Sequence, residues 1–413
     1  MRIVFYSSNS NNYEPSSFIN TTYPNFDKLW SDFCSSKQEH QFFTVSQMPA
    51  MFMPSSTIIV NTYDTKEFAQ KILELKPDLA IAASFWITPY DWLPLKDSFI
   101  ADELRKAGVK TICHSKETAL LCFDKYRTQA FFEANGFNHA PGLFVDHDLF
   151  FCAGNQQEVS DNVYKESVYR QLKEMEYPLI IKNPVGLSSY GMTVVNSYNE
   201  AYGYLNSKKN NSNRLIEKFL QGEQFGSEIY GHDGIYTVMP PFRLSVNQYG
   251  ITSPKLCEKT GPVESPQYKT DELKKELLRL AKALNLNGYA QVDLIFSDGK
   301  WYIIEINPRL SGMTTTYAAA SGLNFYEYIF RAVTNGLDDV ELNEVVNKKI
   351  PLQSEQELKE LSQVRNVLFI SQIENKVAKQ EREKGYCEVI KVRHCEEQSG
   401  LPRFARNDVL PSM

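Results

Sequence analysis

GYAQVDLIFSDGKWYIIEINPRLSGMT, residues 288–314, is the stretch from which the rest of the chain can be read. Val292–Phe296 and Trp301–Asn307 are apolar runs separated by Ser297-Asp298-Gly299-Lys300, a short turn-forming link, so an antiparallel hairpin is expected. Glu305 and Asn307 stand two apart and project from the same face of one strand. Asp293, on the neighbouring strand, can lie beside them, depending on register. Acids that interrupt apolar strands are costly to bury unpaired, so a hairpin with merely solvated carboxylates fits poorly. Oxygen ligands from one sheet face are what magnesium needs when it also keeps waters and takes phosphate oxygens. Asp293, Glu305 and Asn307 are therefore the expected metal ligands.

Upstream, Leu179-Ile180-Ile181-Lys182 reads as a buried strand ending in an ammonium. Gly186 to Met192 is a small-residue loop whose backbone N–H groups and hydroxyls, Ser188, Ser189 and Gly191 among them, can wrap phosphate oxygens. It is not a Walker loop, because no Gly-Lys-Ser/Thr opens a helix. Leu215 to Leu220, followed by Gln221-Gly222, reads as a strand entering a turn. Its extended backbone offers groups to the edge of a flat base, Glu217 can accept from an exocyclic amine, and Phe219 and Leu220 would line the ring. Alone, Lys182 reads as a solvated strand end and Leu215 to Leu220 as an ordinary strand.

Their order is the stronger signal. With DKYRTQAFFEANGF at residues 124–137, the series resembles the ATP-grasp superfamily, most closely its D-alanine–D-alanine ligase-like, carboxylate–amine ligase branch, over about residues 78–335. The resemblance implies ATP and magnesium, with manganese in its place as an option. It puts Lys125 and Lys182 on the phosphates, Glu217, Phe219 and Leu220 at the base, and Lys255 as a further phosphate contact. It makes Arg309 the residue for the substrate carboxylate or acyl phosphate, with Lys182 as its catalytic companion. A glutamate usually meets the ribose soon after the hinge glycine; here Glu223 and Gln224 share that place. The arginine that precedes the metal aspartate by two in D-alanine ligases is Gln291. The implied activity is an ADP-forming ligase that joins an amino acid or peptide carboxylate to an amine, D-alanine included. Carbamoyl-phosphate-synthase-like chemistry with another acceptor, or nucleotide binding without catalysis, are the alternatives.

The whole chain agrees. Its 413 residues exceed one ordinary core. At 42% hydrophobic and 23% charged, with net charge -6, it has a globular composition and no general electrostatic attraction to nucleic acid or anionic membranes. No basic segment leads into an apolar run at the N-terminus, and the longest apolar run, Leu79–Trp86, is too short for a span. Seven cysteines without a CxxC pair fit reduced thiols, so the expected location is cytoplasmic. Partners are expected to be small molecules, with a homodimer as one assembly. The first residues alternate strand and helix without a GxGxxG loop, which disfavours a dinucleotide oxidoreductase. The expected fold class is α/β, turning α+β towards the C-terminus: an open parallel domain over 1–115, a small lid subdomain over 116–220, a larger antiparallel subdomain with the metal site over 221–336, and a C-terminal extension over 337–413, loosely ordered from about Gln380.

Overall fold

The structure is a computed structural model; it describes residues 1–8, 23, 25–48, 53–85, 92–152, 161–186, 191–246, 257–334, 336–351, 355–364, 367–373 and 386–393. The chain opens with β1 (Arg2–Ser7), α1 (Phe26–Ser36), β2 (Gln41–Ser46), β3 (Ile58–Ile59), α2 (Thr65–Glu74), β4 (Leu79–Ala82), α3 (Leu93–Lys106) and β5 (Lys110–Ile112). The strands form a parallel sheet in the order β3-β2-β1-β4-β5. Asp64 caps α2 by accepting from the backbone of Lys66 and Glu67, as its place before an apolar-periodic run predicts. Helix α3 starts at Leu93 with Pro94 in its first turn, where proline is tolerated. The strand order reverses between β1 and β4, and such a reversal leaves a crevice at the strands' carboxyl ends.

Ser115 and Asp124 cap two successive helices, α4 (Lys116–Phe123) and α5 (Lys125–Asn135), and Gly136 ends the second with φ +66°. The stretch up to Tyr177 holds β6 (Gly142–Val145), α6 (His147–Phe151) and α7 (Val163–Glu174). Only Val168, Tyr169 and Leu172 of α7 are buried, too narrow a stripe to stand out from its polar sequence. β7 (Leu179–Lys182), β8 (Thr193–Val195), α8 (Tyr198–Leu205) and β9 (Arg214–Lys218) follow. The small sheet runs β6-β9-β7-β8, all antiparallel, with its helices over Val145, Leu179, Ile181 and Ile216.

The remaining elements are β10 (Glu223–His232), β11 (Ile235–Val238), β12 (Phe242–Leu244), β13 (Lys259–Gly261), α9 (Thr270–Ala283), β14 (Gly288–Ser297), β15 (Lys300–Asn307), α10 (Gly312–Ser321), α11 (Phe325–Val333), β16 (Val345–Pro351), α12 (Glu355–Ser362), β17 (Val367–Ile373) and β18 (Tyr386–Val392). Among the described residues their strands make one antiparallel sheet, β15-β14-β10-β12-β13-β16-β18-β17, with β11 beside β10. The hairpin read from residues 288–307 is its edge pair. Apolar Phe225, Ile229, Ala290, Val292 and Leu294 pack one face against α9. Residues 386–392 do not follow the expectation of a loose end from Gln380: β18 is paired on both sides, and Val389 and Ile390 are buried.

Two joints fix these sheets to one another. His114, just past β5, is buried; its Nδ1 accepts the Asn287 backbone N–H at 3.1 Å and its Nε2 lies 2.7 Å from the Tyr289 carbonyl oxygen. Gly222, between the small and large sheets, has no room for a side chain, since a Cβ there would lie 2.4 Å from the Phe296 carbonyl oxygen. Gly222→Ala is therefore expected to destabilise the protein by about 1–3 kcal/mol. A urea unfolding midpoint equal to wild type would show that this approach relaxes freely.

Candidate active site

The hairpin register places Asp293 opposite Glu305 and Gln291 opposite Asn307, with an irregularity between Asp293 and Leu294. Such bulges re-aim side chains beside sites. Asp293 Oδ1 accepts from Gln291 Nε2 at 2.7 Å, and Asn307 Nδ2 lies 3.5 Å from Asp293 Oδ2. Burial, and then the Glu305 charge, push the Asp293 carboxyl up to about 6, against the pull of Arg309 and Lys125. The three expected metal ligands are thus brought together. Among the described residues no group of three His, Cys, Asp or Glu side chains forms a metal cage. Two crowded carboxylates and an amide fit a hard cation that takes its remaining oxygens from water and phosphate.

Lys125 is the first residue of α5, placed by the Asp124 cap. Its Nζ donates to the Gly186 carbonyl at 2.7 Å and lies 3.3 Å from Glu305 Oε1, so it spans from the loop after β7 to the acidic face of the hairpin. Lys182 and Glu217 form a buried ion pair. Glu217, expected at the nucleotide base, is in this structure the counterion of Lys182, with Gln129 Nε2 at 3.5 Å. Phe219 and Leu220 are half-buried just beyond β9, and the Phe219 N–H donates to the Pro178 carbonyl. Gly191 adopts φ +73°. Ser188, Ser189 and Lys255 lie outside the described residues.

Glu223 is not gathered with the others. In the β10–β14 register Gly226 faces Asp293 and Gln224 faces Ile295, so Gln224 shares the Asp293 face and Glu223 points to the opposite one. There it accepts from Tyr268 Oη at 2.9 Å and pairs with Arg243 at 2.9 Å.

Arg309 is buried, and its Nη2 donates to Asn307 Oδ1 at 3.0 Å. The loop it belongs to meets the parallel sheet at its carboxyl edge through a bridge between Phe85 and Leu310. A narrow cleft here is bordered by Ser84, Asp97, His114 and Arg309. Asp97 accepts from Ser84 Oγ at 2.8 Å, and burial pushes its carboxyl up to about 7.

Glu228 belongs to none of the motifs read from the sequence. It is wholly buried on the Asp293 face, accepts from Ser311 Oγ and Thr314 Oγ1 at 2.7 Å each, and also bonds Tyr230 Oη. Burial pushes its carboxyl up to about 7. The signal was an acid inside the run Ser227-Glu228-Ile229-Tyr230, the same cue that drew attention to Asp293.

Known proteins resemble the chain in sequence and in fold. The family profile described as ATP-grasp domain matches residues 122–313. The D-alanine–D-alanine ligase of Buchnera aphidicola subsp. Schizaphis graminum is 25% identical over 232 residues, covering 52% of this chain and 69% of that protein. The carbamoyl phosphate synthase large chain of Clostridium acetobutylicum is 23% identical over 270 residues, 63% of this chain, which spans only 24% of that longer protein. The crystal structure of an L-amino acid ligase from Bacillus licheniformis superposes with a TM-score of 0.63 at 15% identity, covering 96% of this chain and 94% of that one. Residues 122–313 thus match the ATP-grasp domain family.

Proposed function

We propose that this protein is an ATP-dependent, ADP-forming ligase that joins the carboxylate of an amino acid or small peptide to an amine through an acyl phosphate. The observation that carries the reading is the meeting of opposite charges: Asp293, Glu305 and Asn307 on the large sheet face Lys125, whose other contact is the loop that follows Lys182. Phosphoryl transfer depends chiefly on alignment and neutralisation of phosphate charge, which such an arrangement supplies. Asp293, Glu305 and Asn307 would hold magnesium, which would offset the charge of the phosphates.

In the first step a substrate carboxylate oxygen attacks the γ-phosphorus, the bond from phosphorus to the β,γ-bridging oxygen breaks, and ADP leaves. In the second, the amine attacks the acyl carbon, the acyl C–O bond breaks, phosphate leaves, and the amine gives up a proton. Lys125 and Lys182 hold phosphate oxygens, and Arg309 pairs with the carboxylate and then the acyl phosphate through its planar fork. Gln291, where D-alanine ligases carry an arginine, supports a substrate pair other than two D-alanines. The ribose falls to the Gln224 side of β10 rather than to Glu223.

The test is phosphate release from Mg-ATP with single amino acids and pairs, followed by mass spectrometry of the products. Release that needs two amino acids, with a product one water lighter than their sum, is expected; tight nucleotide binding without release under every mixture would overturn the ligase reading. Arg309→Ala is expected to bind Mg-ATP as wild type does while ligation slows by about 100-fold or more. Unchanged kinetics for the carboxylate substrate would remove Arg309 from that role.

A further inference from the structure

The loop carrying Arg309 ends at Gly312, the first residue of α10, and the Gly312 carbonyl is a point of convergence. It accepts from Lys259 Nζ at 2.9 Å, Thr316 Oγ1 at 2.8 Å and Thr315 Oγ1 at 3.2 Å. Thr316 Oγ1 in turn accepts from Asn347 Nδ2 at 2.8 Å. Lys259 Nζ lies 3.2 Å from Glu388 Oε1, and Lys349 reaches the same oxygen at 3.9 Å. Glu388 is 2% exposed and Lys259 8%. The contact is close: a Cβ on Gly312 would lie 3.0 Å from Lys259 Nζ and 3.5 Å from Glu388 Oε1. Asn347, Lys349 and Glu388 all come from β16 and β18, beyond the residues that match the ATP-grasp domain.

We infer that the C-terminal strands are part of the substrate site: Glu388, acting through Lys259, is a positioning residue that holds the Pro308–Gly312 loop, and with it Arg309, against the large sheet. Two acids hold this loop from different sides. Glu228 takes the hydroxyls of Ser311 and Thr314, whereas Glu388 fixes the ammonium that takes the Gly312 carbonyl. A buried carboxylate at 388 without a role in the loop would be costly to keep, since an apolar pair of similar volume holds a sheet together equally well.

The inference rests on the ligase reading for what the loop does, and the experiment separates the two. Hydrogen exchange of the full chain is followed in peptides covering 308–316, alongside thermal melting and Mg-ATP titration. Glu388→Gln leaves Lys259 poorly compensated; it is expected to lower the melting temperature and speed exchange of 308–316 by about tenfold. Lys259→Met combined with Glu388→Met removes the buried charges together, so the melting temperature should recover while the loop still exchanges fast. In the double variant Mg-ATP affinity should stay within about twofold of wild type. Wild-type protection of 308–316 in the double variant overturns the inference, whatever its stability. Absence of Mg-ATP binding in the unaltered protein would overturn the ligase reading and leave the exchange result to judge the loop.

Discussion

Glu305→Gln is expected to lower ATP-dependent phosphate release by about a thousandfold or more, because it removes one of two charges that would hold the cation on the phosphates. The fold should survive, since glutamine keeps the shape and can still accept from Lys125, 3.3 Å from the present carboxylate. The change also has a pH signature. Without metal, the folded protein holds the Asp293 proton up to about pH 6, well above an ordinary aspartate, so this group's contribution to stability falls as pH rises from about 4 to 6. Part of that rise comes from Glu305. The melting temperature of Glu305→Gln, relative to wild type, should therefore climb between pH 4 and 6 in the absence of magnesium. A constant difference over that interval, or near-normal turnover in the folded variant, would separate Glu305 from Asp293 and from the metal.

Lys182→Met should be equally inactive, for a different reason. The ammonium is buried against Glu217 at the end of β7, where a cation can neutralise phosphate with little water to screen it. Losing it strands a buried carboxylate, at a cost of about 3–5 kcal/mol. Adding Glu217→Gln should restore the lost stability, and phosphate release should remain down by about a thousandfold. Turnover close to wild type in the folded double variant would mean that Lys182 serves the small sheet and not the nucleotide.

The parts of this fold legible in sequence were those with strong local chemistry. Asp64, Ser115 and Asp124 cap helices where a short polar side chain precedes an apolar period, and the Ser297–Lys300 link closes the hairpin that aligns Asp293 with Glu305. What stayed hidden depends on pairing between distant segments. Whether Glu223 or Gln224 shares the Asp293 face is decided by the register of β10 on β14, and a one-residue shift exchanges them. The pairing of Lys182 with Glu217 joins strands separated by more than thirty residues. β18 was unreadable because a sequence with Glu388 and Lys391 among its apolar residues looks solvated until a sheet covers it. Buried charge marks function only when its partner is known.

The joint at His114 has a consequence for acid conditions. One ring nitrogen accepts an N–H and the other meets a carbonyl oxygen, which suits the neutral ring alone, and burial holds its proton affinity down to about 4. As acidity increases from neutrality, the Asp293 carboxyl gains its proton near pH 6, two decades before that imidazole changes charge. In the cation-free protein, mild acidification should thus neutralise part of the acidic face while the joint between the parallel sheet and β14 stays uncharged, so that protonation of Asp293 is reversible without parting the two sheets.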